Sequence, residues 1–136
     1  MPRHPRKPRR LVADGRTYLW SLRHSHPGPA GEAFTDCRET LTLHPQPAGS
    51  GGTLRIVFAG GPDRYVPGGF PLGSGDVGFV RGGSLNLHEP GAVRALLGTA
   101  AARGWQPGDR RPVELDGWSL LEEAAAARTG DLGRPS

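Results

Sequence analysis

Four side chains with metal-binding or nucleophilic chemistry fall within the first third of the chain: His24, His26, Cys37 and His44. Nitrogen and sulfur ligands of this kind suit a tetrahedral zinc ion, but their spacing does not. His24 and His26 would share one face of a strand, whereas Cys37 and His44, seven residues apart, point to opposite faces of theirs, and Pro27 ends the first strand at once. The expectation is solvated polar residues, with no metal and no cofactor. Cys37 with His44 or His88 as base would form a nucleophile pair, yet activated thiols need a cationic neighbourhood and an orienting group, and the sequence supplies neither. Cys37 therefore reads as a small half-buried residue. Glu122 and Glu123 lie beside a run of alanines and read as the solvated face of a helix, so no acid–base pair stands out and no catalytic residue is assigned.

A second chemical signal is Gly73-Ser74-Gly75-Asp76-Val77-Gly78, which matches the G-x-G-x-x-G dinucleotide fingerprint. That motif holds a pyrophosphate only between a strand and the helix that follows it. Pro71-Leu72 before it and Phe79 to Gly83 after it provide neither, so the match is read as chance. No Gly-Lys-Ser or Gly-Lys-Thr occurs, which removes the P-loop.

The net charge of +4 suggests a nucleic-acid partner until it is divided along the chain. Arg3, Arg6, Lys7, Arg9 and Arg10 carry five positive charges in the first ten residues, so the remaining 126 carry −1. Prolines 2, 5 and 8 favour an extended conformation for this segment, which reads as a flexible basic arm over 1–10. Such an arm binds phosphate backbones weakly and without sequence preference, and its five cations are the candidate nucleic-acid contacts. Tyr18, Trp20 and Phe79 would join as stacking platforms only if exposed on the sheet. Lys7 is the single lysine among 17 basic residues, a bias that fits a GC-rich genome and says little about phosphate recognition.

The length of 136 residues fits one domain. Hydrophobic residues make up 35%, and Gly (22) with Pro (14) reaches about a quarter of the chain, so a modest core with long, turn-rich connections is expected. Cys37 is the only cysteine, which suits a reducing compartment. Leu11-Val12-Ala13 gives way at once to Asp14-Gly15, so neither an ordinary nor a twin-arginine signal is read. No apolar run approaches the ~18 residues of a membrane span. A cytoplasmic protein is the expectation.

The elements that would position these residues begin with strands over Leu11–Ala13 and Tyr18–His24 joined by an Asp14-Gly15 turn. Cys37 to His44 alternates Cys37, Glu39, Leu41 and Leu43 against polar partners, and Thr53 to Ala59 places Leu54, Ile56 and Phe58 on one face. Gly60 to Gly83 holds nine glycines and reads as a long loop with at most a short edge strand over Val77–Arg81. A helix follows from Pro90 to Arg103, with Val93, Leu96, Leu97 and Ala100 at helical spacing. Gly104, Trp105 and Pro107 supply the positive φ, the apolar back-packing residue and the stop of a Schellman cap. Val113 to Leu115 makes a last strand, and Asp116 caps a second helix from Trp118 to Arg128, followed by a frayed tail over 129–136. The whole predicts an α+β fold: a small, mainly antiparallel sheet of three to five strands with two C-terminal helices packed on it, in one domain over 11–128.

The stretch His88 to Leu115, with Glu89-Pro90-Gly91-Ala92-Val93-Arg94-Ala95-Leu96-Leu97, Gly104-Trp105-Gln106-Pro107 and Val113-Glu114-Leu115, resembles a segment of small uncharacterised bacterial proteins of actinobacterial type. The resemblance covers residues 11 to 118 and implies a β meander running into a helix and a closing strand. It implies no activity and brings no catalytic residue. The glycine-rich insertion departs from that pattern, and its Asp63, Arg64, Tyr65, Phe70, Asp76 and Arg81 form a candidate interaction loop. The leading functional expectation is a non-enzymatic accessory or protein-interaction domain; the arm makes a nucleic-acid-associated protein the second reading. A small enzyme is the third, if Asp63, Arg64, Tyr65, Asp76 or Arg81 converges on a pocket with His88.

Overall fold

The antiparallel meander expected from the alternating segments is present in full. In the computed structural model, which describes residues 8–25, 38–60, 64–65, 76–79 and 84–133, β1 (Arg9–Ala13), β2 (Arg16–Ser25), β3 (Arg38–Gln46) and β4 (Leu54–Ala59) pair in sequence order. Asp14 (φ 51°) and Gly15 (φ 76°) close the first hairpin with both central residues left-handed, the backbone of a type I′ turn. A fifth strand, β8 (Val113–Asp116), adds to β4 in parallel, Leu54 opposite Val113 and Ile56 opposite Leu115. A parallel neighbour needs a long crossover, and α1 (Pro90–Ala102) lies within it.

The fold is α+β: a five-stranded, mostly antiparallel sheet with two helices in the C-terminal half. Strand alternation divides the sheet into two faces. The inner face presents Tyr18, Trp20 and Leu22 from β2, Leu41 and Leu43 from β3, and Leu54, Ile56 and Phe58 from β4. These join Val93, Leu96, Leu97 and Ala100 of α1, and Leu120, Leu121 and Ala124 of α2 (Trp118–Gly133), in one buried cluster. Each large apolar side chain removed from water there contributes about 1.5–3 kcal/mol before conformational entropy is counted.

Three segments differ from expectation. β1 starts at Arg9, so Arg9 and Arg10 belong to the sheet edge and not to an arm ending at residue 10. Only alternation against β2 reveals this, because two arginines carry no strand signal of their own. The stretch 60–83, expected as a loop, contains β5 (Arg64–Tyr65) and β6 (Asp76–Phe79), which pair with β7 (Ser84–Asn86) in a separate three-stranded antiparallel sheet. Val77 and Leu85, directly opposite each other, are buried in the core cluster and anchor this small sheet among the described residues. Finally α2 runs to Gly133 and not Arg128: the alanine run is strongly helix-forming, and Gly130 costs only about 1 kcal/mol inside it.

Both helix junctions follow local chemistry. At the end of α1 the N–H of Trp105 donates to Ala100 O and that of Gly104 to Ala101 O, each at 3.1 Å. This is the Schellman pair, with Gly104 at φ 110° and Trp105 folded back into the core, 8% exposed. At the start of α2 the Asp116 carboxylate accepts from the Trp118 N–H at 3.2 Å. Between them Gly117 lies so close to Phe58 that a Cβ there would sit 2.5 Å from its ring. Gly117→Ala is therefore expected to destabilise the fold by about 1–3 kcal/mol, measured as a lower urea midpoint with an unchanged slope.

Candidate functional site

The outer face of the sheet is polar and cationic. Arg10 of β1, Arg23 of β2, Arg38 and His44 of β3 and Arg55 of β4 all face outward and all are exposed. Between them stand Thr17, Ser21, Thr40 and Thr42, half-buried by their neighbours. The pairing register fixes the pattern: Arg10 opposes Leu19, which opposes His44; Arg23 opposes Thr40; Arg55 opposes Thr42. Arg38 and Arg23 sit on adjacent strands two residues out of step, so their Cα atoms are about 8 Å apart. Val12 is the only large hydrophobic residue among those described that is exposed, at 56%.

Charge on this face is polarised. Its acids, Glu114 and Asp116, lie on β8 at one edge, with Glu114 directly opposite Arg55. The described ion pairs lie elsewhere: Arg94 with Asp14, Arg103 with Glu123, and His24 with Glu39. Arg10, Arg23 and Arg38 thus stand in solvent without a carboxylate partner among the described residues. His44 accompanies them, its Nδ1 3.1 Å from Thr53 Oγ1.

One position separates two arginines with opposite roles. Arg9 faces inward, its guanidinium carbon 4.8 Å from the centre of the Trp20 ring and its Nη1 donating to His88 O at 2.7 Å. That guanidinium fastens β1 to the turn before α1. Arg10, the next residue, faces out. Of the expected nucleic-acid contacts, Arg3, Arg6 and Lys7 lie outside the described residues. Tyr18 and Trp20 are 2% and 1% exposed on the inner face, so neither is a stacking platform on the outer face; the Phe79 side chain lies outside the described residues.

The other candidates do not assemble. His24 faces inward and bonds to Glu39, its cross-strand neighbour and a carboxylate only 3% exposed, while His44 faces outward; His26 and Cys37 lie outside the described residues. Among the described residues no group of three His, Cys, Asp or Glu is placed to hold a metal ion. The G-x-G-x-x-G pattern ends inside β6, with Asp76 and Gly78 in a strand, and the next described element is the strand β7. Of the interaction-loop residues, Arg64 and Tyr65 fall in β5 and Asp76 in β6, with side chains outside the description, as are Asp63, Phe70 and Arg81. Glu122 and Glu123 are exposed on α2.

No helix among the described residues is long and apolar enough to cross a membrane. Compared with known proteins, the chain matches no protein-family model, no curated protein and no solved structure. The functional reading therefore rests on the geometry of the outer face. Arg23, Arg38 and Arg55 escaped the reading of the sequence because they are dispersed over three strands. Their one signal is a repeated arginine at the polar position of an alternating segment.

Proposed function

We propose that the protein is a binding module whose contact surface is the exposed face of the five-stranded sheet, and that its partner there is a nucleic-acid phosphate backbone. The observation that supports this reading is the set Arg10, Arg23 and Arg38, solvent-exposed and without carboxylate partners among the described residues. A typical protein partner is anchored by apolar or aromatic residues at the centre of the contact, and among the described residues this face offers only Val12 and the half-buried Leu19 and Val57. A polyanion needs no such anchor. With Tyr18, Trp20 and Phe58 turned inward, recognition is by charge and hydroxyl groups and is independent of base sequence. A cytoplasmic setting belongs to the same reading, in keeping with the single cysteine.

The test is a salt titration of full-length chain against a labelled DNA duplex. Three phosphate contacts give a slope of about −2.7 in log affinity against log salt, so a fourfold rise in salt weakens binding by about 40-fold. Arg3→Ala, Arg6→Ala and Lys7→Ala combined are expected to leave that slope unchanged and the affinity within about threefold. Loss of all binding in that variant would move the site to the N-terminal segment. A slope near zero, or tighter binding to polyglutamate than to DNA, rejects the nucleic-acid reading.

A further inference from the structure

On the other side of the sheet, a cleft of about 200 Å³ opens between the β1–β2 hairpin, the second half of α1 and the turn that follows it. Its walls include Tyr18, Leu97 and Trp105, each at least nine-tenths buried. The two rings stand 6.4 Å apart at 44°, forming an aromatic corner. At its rim lie Arg16, Arg94 and Asp14. A cavity of about 150 Å³ is enough to admit benzene, so this one has room for a single ring bearing a small substituent.

Two features make the cleft more than a packing gap. Tyr18 is 2% exposed, and its hydroxyl, which makes no hydrogen bond among the described residues, is not one of the fully enclosed polar atoms; the little of the residue that meets solvent includes this oxygen, which water or a ligand can reach. Burial raises its pKa, which keeps the hydroxyl a proton donor. The second feature is the rim itself. Arg94 and Asp14 meet at 3.7 Å with both side chains largely in solvent, a pairing of marginal strength that an incoming carboxylate can replace. Arg16 makes no ion pair among the described residues and is the natural first anchor.

We propose that this cleft binds a small aromatic carboxylate, its ring against Tyr18 and Trp105 and its carboxylate held by Arg16, Arg94 and the Tyr18 hydroxyl. The site is independent of the outer sheet face, and either stands if the other fails. Benzoate is the probe, titrated into the full chain while the three indole N–H resonances are followed by NMR. The Trp105 signal is expected to shift saturably with a Kd of about 1 mM, typical for a ligand of this size, while that of Trp118 stays in place. Benzyl alcohol, close in size and uncharged, is expected to bind at least about tenfold more weakly.

Arg16→Gln is expected to weaken benzoate about tenfold. Tyr18→Phe should weaken it about threefold to tenfold and leave the melting temperature unchanged, because the hydroxyl has no partner to lose in the free protein. Equal affinity for benzoate and benzyl alcohol, or no saturable shift of Trp105 up to ~20 mM, overturns the proposal. So does a Tyr18→Phe variant that binds benzoate normally but melts lower, since that would give the hydroxyl a purely structural role.

Discussion

Arg10→Glu, Arg23→Glu and Arg38→Glu combined are expected to lower duplex affinity on the order of 1,000-fold at about 50 mM salt. At that concentration each phosphate contact is worth roughly tenfold through counterion release, and reversed charges add repulsion. The expected cost to folding is small, because all three side chains are exposed and none makes an ion pair among the described residues; exposed substitutions usually stay within about 0.5 kcal/mol. The control is Arg110→Glu with Arg111→Glu, the same chemistry on exposed residues of the turn before β8, which is expected to leave binding within about threefold. Equal losses per reversed charge in the two variants would reduce the effect to net charge. An unchanged triple variant would exclude the sheet face.

That contrast exists because placement, and not composition, distinguishes these arginines. The residues beyond the first ten sum to −1, which argued against a basic surface on the folded part. The structure separates charges that the sum merges: Asp14, Glu89, Asp109, Glu122 and Glu123 lie on hairpin, turn and helix positions, and Glu39 is turned inward against His24. What the sequence made legible was everything set by local periodicity and capping. The alternation in 38–46 and 54–59, the Asp14-Gly15 turn and the Gly104-Trp105-Pro107 stop each depend on residues within one element. What it left hidden depends on register between elements. That Arg9 reaches Trp20 and His88 while Arg10 looks outward follows from pairing with β2, and the small sheet around Val77 arises in a stretch dominated by glycine, where Val77 and Leu85 pair and are buried. The parallel addition of β8 beside β4 was equally invisible, because Val113–Asp116 carries no signal of which edge it joins.

The junction where β8 meets α2 should yield the largest change in stability. Three successive residues of β4 hold it: Val57 O accepts from the Gly117 N–H at 2.7 Å, Ala59 O accepts from Trp118 Nε1 at 2.7 Å, and between them the Phe58 ring meets Trp118 edge to face at 5.3 Å. Phe58 is fully buried, so Phe58→Ala forfeits its transfer free energy, opens a cavity and removes the partner of an aromatic pair. The expected loss is about 3–5 kcal/mol, or roughly 10–20 °C in melting temperature for a chain of this length. Gly117→Ala strains the wild type because the new methyl meets the same ring; with the ring gone, the methyl has room. Added to Phe58→Ala, it should therefore cost less than half of what it costs alone, a coupling above about 0.5 kcal/mol in a double-mutant cycle. Additive costs would mean that the Phe58 ring is not what excludes a side chain at Gly117, and would shift the explanation of that glycine to the backbone hydrogen bond it donates to Val57.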